Sequence, residues 1–359
     1  MKFIDEFRDR EIAQALALRI RETSTRPVQL MEVCGTHTVS IFRHGIRGML
    51  PEQMKLLSGP GCPVCVTPNH DIDLAIALSR QGLIIATFGD MMRVPGSTSS
   101  FQKEKAEGRD IRIVSSALEA LKIATENPAK QVVFLAIGFE TTSPTVAVAI
   151  LKTRAERIGN LFFLNSQKRV PPAIRALLES RQLKIDGFIL PGHVSAIIGE
   201  GPYQFISQEF GLPAVITGFE PLDILQGIWM LAKQIEENRP SIEIQYRRAV
   251  RPEGNPLAMS RIYEVFENGG ALWRGIGGIP DSGYLFRKPF GEMDAGNFHV
   301  QVEPAAEHPG CLCGEVLQGI KTPLDCRLFQ TVCHPENPIG PCMVSLEGTC
   351  FTYYKFHQP

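Results

Sequence analysis

The sequence lacks any apolar run approaching the roughly 20 residues that a membrane-spanning helix needs. Its first segment, MKFIDEFRDREIAQALALRIRET, is charged throughout and has no apolar core of a signal peptide. An excess of charge is also missing, because 37 Lys and Arg stand against 38 Asp and Glu. No GxxxxGK[ST] loop for nucleotide phosphates is present. We therefore expect a cytoplasmic protein with no membrane span and no electrostatic preference for nucleic acid or an anionic membrane.

Cysteine is missing from residues 66–310, although the chain has 9 cysteines. Three lie early and six crowd the last fifty residues: Cys34, Cys62 and Cys65, then Cys311, Cys313, Cys326, Cys333, Cys342 and Cys350. Buried cysteines that act as small hydrophobic residues would not cluster in this way. Because the reducing cytosol disfavours structural disulfides, the distribution indicates metal or redox chemistry.

Short apolar runs alternate with amphipathic patterns through the first two thirds of the chain. The runs that predict strands are VQLMEVC (28–34), MKLLSG (54–59), GLIIATFG (82–89), IRIVS (111–115), QVVFLAIGF (131–139), NLFFLNS (160–166), DGFILPG (186–192) and PAVITGF (213–219). Helical patterns follow most of them. This alternation is typical of βαβ units around buried parallel sheets, so the predicted fold class is α/β.

We predict two Rossmann-like α/β domains with parallel sheets, at residues 25–130 and 131–240, preceded by an N-terminal helix within residues 1–24. Residues 241–359 form a third, C-terminal region, where AMSRIYEVFENG (258–269) predicts a helix. Gly and Pro are frequent there and little core of its own is visible. A small domain of that kind usually needs a metal or a disulfide for stability.

Ligands of parallel α/β sheets bind beyond the carboxyl ends of the strands, where CGTHT (34–38) lies. Cys34 leaves a predicted strand and enters a predicted helix, and the positive end of the helix dipole favours a thiolate there. It would then serve as a ligand or nucleophile, while the alternative is a buried core cysteine. His37 would bind a ligand together with Cys34, carry a proton or cap the turn.

The segment SGPGCPVCVTP (58–68) places Cys62 and Cys65 in a C-x-x-C frame within a loop stiffened by proline. This frame fits a zinc site, a disulfide or the edge of a cluster. Zinc needs two more ligands, which Cys34 and His37 can supply, so all three interpretations stay open.

Two polar residues end strands of the second predicted domain, Glu140 in GFETT (138–142) and His193 in PGHVS (191–195). A cleft between the domains would gather both. Either is a candidate general acid or base, or else a hydrogen-bonded structural residue.

The C-terminal cysteines carry the stronger signal. Cys326, Cys333, Cys342 and Cys350 form a C-x6-C-x8-C-x7-C pattern. Four thiolates suit tetrahedral zinc or a [4Fe–4S] cluster, and the absence of paired C-x-x-C knuckles favours the cluster.

Five segments together resemble the HypD family of [NiFe]-hydrogenase maturation factors, over about residues 3–354. They are MEVCGTHT, SGPGCPVCVTP, GFETTSPT, LPGHVS and the tail CGEVLQGIKTPLDCRLFQTVCHPENPIGPCMVSLEGTC. The resemblance implies a scaffold on which the Fe(CN)2CO unit of the hydrogenase is assembled, rather than a conventional turnover enzyme. It also implies a HypC-type chaperone and a HypE-type cyanide donor as partners. A [4Fe–4S] cluster beside redox-active thiols, as in ferredoxin:thioredoxin reductase, is implied as well.

Carried over by motif, the resemblance assigns the iron anchor to Cys34 and the redox or ligand pair to Cys62 and Cys65. The cluster falls on Cys326, Cys333, Cys342 and Cys350, while Cys311 and Cys313 are an auxiliary thiol pair or replace one of those ligands. His37, Glu140 and His193 would manage protons or bind cyanide nitrogens. The rival hypotheses are a zinc-stabilised binding module and a general thiol–disulfide oxidoreductase.

Overall fold

The computed structural model describes residues 5–182, 184–302 and 306–357. In these three ranges no helix is both long and apolar enough to cross a membrane. The strands are β1 (Val28–Glu32), β2 (Met54–Ser58), β3 (Ile84–Thr87), β4 (Ile111–Ile113), β5 (Val132–Ala136), β6 (Leu161–Asn165), β7 (Gly187–Pro191), β8 (Ala214–Thr217), β9 (Ile242–Ile244), β10 (Phe266–Trp273) and β11 (Gly277–Phe286).

The α-helices range from four to sixteen residues. They are α1 (Arg10–Thr23), α2 (Gly35–Arg43), α3 (Ile46–Met49), α4 (Pro63–Val66), α5 (Asn69–Arg80), α6 (Phe101–Ala106), α7 (Ala117–Glu126), α8 (Ser143–Ala155), α9 (Val170–Ser180), α10 (Gly192–Ile198), α11 (Gln204–Gln208), α12 (Pro221–Glu236), α13 (Pro256–Val265), α14 (Cys313–Leu317) and α15 (Thr349–Phe356). Short 3-10 turns lie at Asp5–Phe7, Gly89–Arg93, Gly201–Tyr203, Lys288–Met293, Ala295–Asn297, Pro323–Asp325 and Pro341–Met343.

Two parallel sheets confirm the predicted α/β class. One has five strands in the order β2-β1-β7-β8-β9, and the other has four in the order β4-β3-β5-β6. Every residue of β5 and β7 is buried. This burial explains their unbroken apolar runs, because a parallel sheet is covered by helices on both faces.

The sheets do not divide the chain at residue 130. Strand β3 pairs with β4 and with β5 in one sheet. Strand β1 pairs in the other sheet with β2 and with β7, which begins more than 120 residues after β2 ends. The chain therefore begins one sheet, builds the whole of the second and returns to complete the first. A hydrophobic cluster that contains Met31 and Leu190 of one sheet and Val133 and Leu135 of the other joins them.

Three predicted helices have other bounds in the structure. Helix α1 begins at Arg10 because the Asp9 carboxylate accepts hydrogen bonds from the next turn. The segment TVSIFRHGIRGML (38–50), whose pattern predicts one helix, forms two helices, α2 and α3, separated at Gly45, whose φ of +63° ends the first. Helix α13 ends at Val265, and the antiparallel hairpin of β10 and β11, which was not predicted, follows at once.

Candidate functional site

The first two cysteine motifs leave the carboxyl ends of neighbouring strands. Strands β1 and β2 are parallel, with Glu32 opposite Ser58. Cys34 then caps the start of α2 and Cys62 caps the start of α4. The N–H of Gly35 donates to the carbonyl of Gly61 over 3.0 Å, so the two loops are in direct contact.

Gly61 allows this contact. A Cβ atom at that position would overlap the backbone of Cys34 and Val33. The glycine of GPGCPVC therefore has a steric role, because only a residue without a side chain lets the two loops approach this closely.

Cys62 and Cys65 form a disulfide across the single turn of α4, with their Cα atoms 5.2 Å apart. Both are buried, at 3% and 0% exposure. The Cys65 N–H also donates to the Cys62 sulfur over 3.3 Å. The C-x-x-C frame therefore forms a disulfide in the structure, which is one of the three interpretations left open by the sequence.

Cys34 is also buried, and the prediction that its thiolate is favoured is wrong. Burial, and then the carboxylate of Glu347, raise the pKa of the Cys34 thiol to about 12. The backbone N–H groups of Thr36 and His37 lower it, as a helix start should, but they are outweighed. Binding a metal here must displace the thiol proton.

Two carboxylates that were not predicted surround Cys34. Glu32 accepts from the Cys34 N–H over 3.1 Å and from the Thr38 hydroxyl over 2.5 Å, and burial raises its pKa to about 7. Glu347 accepts from the Thr36 hydroxyl over 2.6 Å. A carboxyl inside the apolar strand VQLME was a usable signal for Glu32. Glu347 arrives from the far end of the chain, and no local pattern indicates it.

His37 and His193 lie on opposite sides of one aromatic ring. Phe219 stacks on His37 with 4.6 Å between ring centroids and on His193 with 3.9 Å. Nε2 of buried His37 lies 2.9 Å from the carbonyl of Gly218 and the hydroxyl of Thr217, while Nδ1 has no hydrogen-bond partner among the described residues. Burial lowers the pKa of His37 to about 4, so the imidazole is neutral. The structure therefore brings both predicted histidines close to the start of α2.

Glu140 follows β5 and belongs to the edge of the other sheet. Its carboxylate accepts from the Val170 N–H over 3.0 Å, and burial raises its pKa to about 7. Phe139, which precedes Glu140, packs in one hydrophobic cluster with Val194, which follows β7. Tyr203, completely buried in the same cluster, is a residue that sequence reasoning missed.

The six C-terminal cysteines line one apolar pocket. They are Cys311, Cys313, Cys326, Cys333, Cys342 and Cys350. The described part of the chain contains no set of three Cys, His, Asp or Glu side chains arranged around a single metal ion. Soft thiolates in an apolar pocket are the donor set of iron–sulfur clusters and of zinc.

Two of these sulfurs are in direct contact. Sγ of Cys313 lies 3.0 Å from Sγ of Cys342, and both residues are buried. Thiolates on one tetrahedral ion stand about 3.8 Å apart, as follows from a metal–sulfur bond of about 2.3 Å. Cys342, a predicted cluster ligand, therefore has Cys313 as its immediate neighbour. Cys313 is also hydrogen-bonded to Cys311, and Cys342 is also hydrogen-bonded to Cys350.

The sulfur pairs belong to one continuous interior. Helix α4 packs against the turn Pro341–Met343, which carries Cys342. Cys62, Cys65, Cys313 and Cys342 all lie in the hydrophobic cluster that joins the two sheets. We call these contacting segments the sulfur line: the turn that carries Cys342 packs on α4, and the disulfide loop contacts the start of α2 at Cys34.

The protein thus combines two parallel α/β sheets with a buried disulfide, a cysteine at a helix start and a pocket lined by six cysteines. The sequence model of the family HypD, described as the hydrogenase formation hypA family, matches residues 11–357. The chain belongs to this family, and its function lies in hydrogenase maturation.

Similar proteins carry the same description. The chain is 46% identical over 373 residues to "Hydrogenase maturation factor HypD2" of Bradyrhizobium diazoefficiens, covering 100% of this chain and 98% of that one. It is 46% identical over 369 residues to "Hydrogenase maturation factor HypD" of Cupriavidus necator, with 99% and 97% covered. Identity to the Escherichia coli protein of that name is 43% over 368 residues, with 100% and 99% covered.

Proposed function

We propose that the protein is the cytoplasmic scaffold on which the Fe(CN)2CO unit of a [NiFe] hydrogenase is assembled. It acts with a HypC-type chaperone and accepts cyanide from a HypE-type partner. The observation that carries this proposal is the line of buried sulfurs from the C-terminal pocket to Cys34. A binding module has no need of a disulfide in that line, whereas an assembly site that must be reduced and loaded with iron does.

Cys34 anchors the incoming iron, which is the substrate of the scaffold. Iron that carries cyanide and carbon monoxide is electron-rich and takes soft thiolate ligands. Cys34 lies at the carboxyl edge of its sheet, with Glu32, Glu347 and His37 around it. A second thiolate comes from the chaperone.

The Cys62–Cys65 pair works as a redox couple, and in the dithiol form either cysteine also serves as an iron ligand. Its reduction takes two electrons and two protons, which break the S–S bond and leave two thiols. An external one-electron donor supplies the electrons by way of the C-terminal pocket. The Cys313 and Cys342 pair lies between the two, because the turn that holds Cys342 packs on α4.

A [4Fe–4S] cluster fits the C-terminal pocket. Its ligands in this proposal are the predicted set Cys326, Cys333, Cys342 and Cys350, or a set in which Cys311 or Cys313 replaces one of them. When bound, the cluster supplies one-electron chemistry. The residues of this chain hold it and keep water out.

The decisive experiment is infrared spectroscopy with metal analysis on the full-length protein, purified anaerobically with its chaperone. We expect bands of bound cyanide and carbon monoxide in the parent complex and none in Cys34→Ala. Cys34→Ser removes the sulfur with little change in size and should also lack the bands. The control is Ser40→Ala, a buried change on the same helix away from its start. Bands that persist in Cys34→Ala would refute the anchor.

Colour and reactivity distinguish the rival hypotheses. A brown protein contains the iron–sulfur cluster, whereas a colourless one with stoichiometric zinc is a zinc-stabilised binding module. Reduction of generic protein disulfides without the chaperone would instead identify a general oxidoreductase. Anaerobic alkylation at controlled potentials tests the redox role, because Cys62 and Cys65 must then change together between protected and labelled forms.

A further inference from the structure

A short segment between two cysteines of the C-terminal pocket crosses to the start of α2. It consists of residues 345–348, and we call it the strap. Cys342 precedes the strap, Cys350 follows it, and both line the pocket. The N–H of Gly348 donates to the carbonyl of Ser345 over 2.9 Å, so the strap is a closed turn. Its two ends therefore join directly to residues of the pocket.

Two glycines allow the strap to fit between its neighbours. A Cβ atom at Gly35 would overlap the carbonyl group of Glu347, and a Cβ atom at Gly348 would overlap that of Cys342. Neither glycine is among those with a positive φ. The close approach of the chain segments, and not an unusual backbone conformation, therefore requires a residue without a side chain at both positions.

One hydrogen bond fastens the strap to α2. The Thr36 hydroxyl donates to the Glu347 carboxylate over 2.6 Å in a half-buried position. Gly35, on which Glu347 packs, directly follows Cys34. The neighbouring Leu346 is 59% exposed, so one side of the strap faces solvent. The strap therefore lies between solvent and the start of α2, where Cys34 is only 8% exposed.

The other bonds of the strap lead back to the pocket. The N–H of Ser345 donates to the carbonyl of Pro341 over 3.1 Å, and the carbonyl of Gly348 accepts from the N–H of Thr352 over 2.9 Å. Both partners lie in elements that carry a pocket cysteine. In the described chain, Thr36 is the one side chain outside the strap that forms a hydrogen bond with it. The position of the strap thus depends on Thr36 on one side and on the pocket at its ends.

We propose that the C-terminal pocket controls access to Cys34 through the strap. This inference rests on the proposed function in one respect, which is that the pocket holds metal. When Cys342 or Cys350 binds metal, an end of the strap is fixed and Glu347 stays on Thr36. Without metal the ends loosen and the strap leaves the start of α2. A ligand that binds one of two states shifts the balance towards that state by mass action.

This coupling must act in both directions. A change that pushes the strap away from α2 should expose Cys34 and also weaken the hold of the pocket on metal. Gly35→Ala is such a change, because the new methyl group meets the backbone of Glu347. We expect faster labelling of Cys34 and a lower iron content in this variant. Gly48→Ala, at an open position in α3, is the control and should match the parent in both.

The main test is the rate at which N-ethylmaleimide labels Cys34 in the anaerobic full-length protein, read from the Cys34 peptide by mass spectrometry. We expect labelling of iron-loaded Thr36→Val to be about tenfold faster than that of the loaded parent, because a hydrogen bond to a charged group is lost. Thr36→Ser keeps the hydroxyl group and should label like the parent. Ser40→Ala, a buried change on α2 whose hydroxyl bonds to Phe219 and not to the strap, is the control.

The parent protein provides a measurement that needs no variant. Chelation of its iron should speed the labelling of Cys34 to about the rate of Thr36→Val, and chelation of Thr36→Val should add little. A parent whose labelling is unchanged by chelation overturns the inference, whether or not the variants fold. A folded, loaded Thr36→Val that labels like the parent overturns it too.

Infrared spectroscopy separates this inference from the function on which it rests. If the complex with the chaperone shows cyanide bands while labelling of Cys34 ignores the strap, the scaffold function stands and the inference fails. If labelling follows the strap and the complex shows no cyanide bands, the inference stands and the scaffold function fails.

Discussion

At the scale of single residues, the site depends on a glycine as much as on its sulfurs. Gly61 brings the disulfide loop against Cys34 because no side chain keeps their backbones apart. The C-x-x-C motif supplies the chemistry, and the glycine before it supplies the proximity.

Gly61→Ala should therefore be strongly destabilising. The obstacle to the new methyl group is backbone rather than a flexible side chain. We expect a loss of about 3 kcal/mol in the free energy of unfolding, at the upper end of overpacking effects. Denaturant unfolding measures it. The control is Gly48→Ala, an open and exposed position in α3, where alanine should be neutral or stabilise by about 0.5 kcal/mol. Equal effects at the two positions would contradict the role of Gly61.

The buried carboxyl of Glu140 predicts a pH dependence of stability. Its pKa is raised from 4.5 to about 7 in the folded protein, so the native state binds more protons than the unfolded state between these values. Its contribution to stability is therefore complete below pH 4.5 and is lost as the pH rises through 7, by about 3 kcal/mol. Glu32, with the same direction of shift, adds to the loss.

Glu140→Gln should make this decline less steep. The amide oxygen still accepts from the Val170 N–H, but no charge has to be buried at high pH. Thermal unfolding at pH 5 and pH 8 should show a smaller difference between the two conditions for the variant than for the parent. Glu52→Gln, at an exposed position, is the control and should follow the parent. A parent whose stability is unchanged between pH 5 and pH 8 would rule the explanation out.

At the scale of elements, sequence patterns located the strands that are buried on both faces and missed the short edge strand β9 and the hairpin of β10 and β11. Unbroken runs such as VVFLA are visible because helices cover both sides of a parallel strand. The hairpin of β10 and β11 has exposed and buried residues mixed irregularly, a bulge near Gly269 and a run of glycines. Such a segment has neither a clear period of 2 nor one of 3.6, so local pattern cannot assign it.

The hairpin turn nevertheless holds two cysteine segments together. The Arg274 N–H donates to the carbonyl of Val66, just after Cys65, over 2.9 Å. Gly275 lies against Gly314, next to Cys313, and Gln318 of the same region donates to the Gly275 carbonyl over 2.9 Å. The turn therefore sets the spacing between the disulfide and the C-terminal pocket.

Gly275→Ala should loosen the C-terminal pocket. The new methyl group would overlap Gly314, and we expect a stability loss of about 2 kcal/mol with a lower iron content per chain. The control is Gly277→Ala in the same hairpin, which has φ of +104° and open space around it. Both variants carry backbone strain. A larger loss of iron from Gly275→Ala than from Gly277→Ala therefore measures the effect of the contact with Gly314. Iron analysis and visible absorbance of anaerobic protein measure it, and equal iron in both variants would refute the role of the turn.

At the scale of the whole molecule, strand order and the sulfur line are long-range properties. The sequence pattern predicted two parallel sheets, but which strands pair depends on crossovers that local periodicity does not encode. The same holds for the site. Cys34, the disulfide and most candidate ligands were found from their motifs, whereas the Cys313 and Cys342 pair and the contact of Glu347 with Thr36 exist only in the folded chain.

The C-terminal segment 306–357 should depend on bound metal more than the rest of the chain. Its regular structure is limited to α14, α15 and two 3-10 turns, and the other backbone groups are held in isolated turns. It also braces α2, through the Thr36 contact and through the rings of Phe42 and Tyr353, whose centroids are 4.6 Å apart. Loss of a ligand that binds only the folded segment lowers local stability by mass action.

We therefore expect chelation of the iron to speed amide hydrogen exchange in residues 306–357 and, to a lesser degree, in α2, while β5 and β6 of the four-stranded sheet keep their protection. Mass spectrometry of peptides from the full-length protein, with and without chelator under anaerobic conditions, measures this. Cys326→Ser should exchange like the chelated parent whether or not chelator is present. Exchange that rises equally in β5 and in residues 306–357 would show that the metal stabilises the whole fold instead. Unchanged exchange in both would show that the C-terminal segment folds without it.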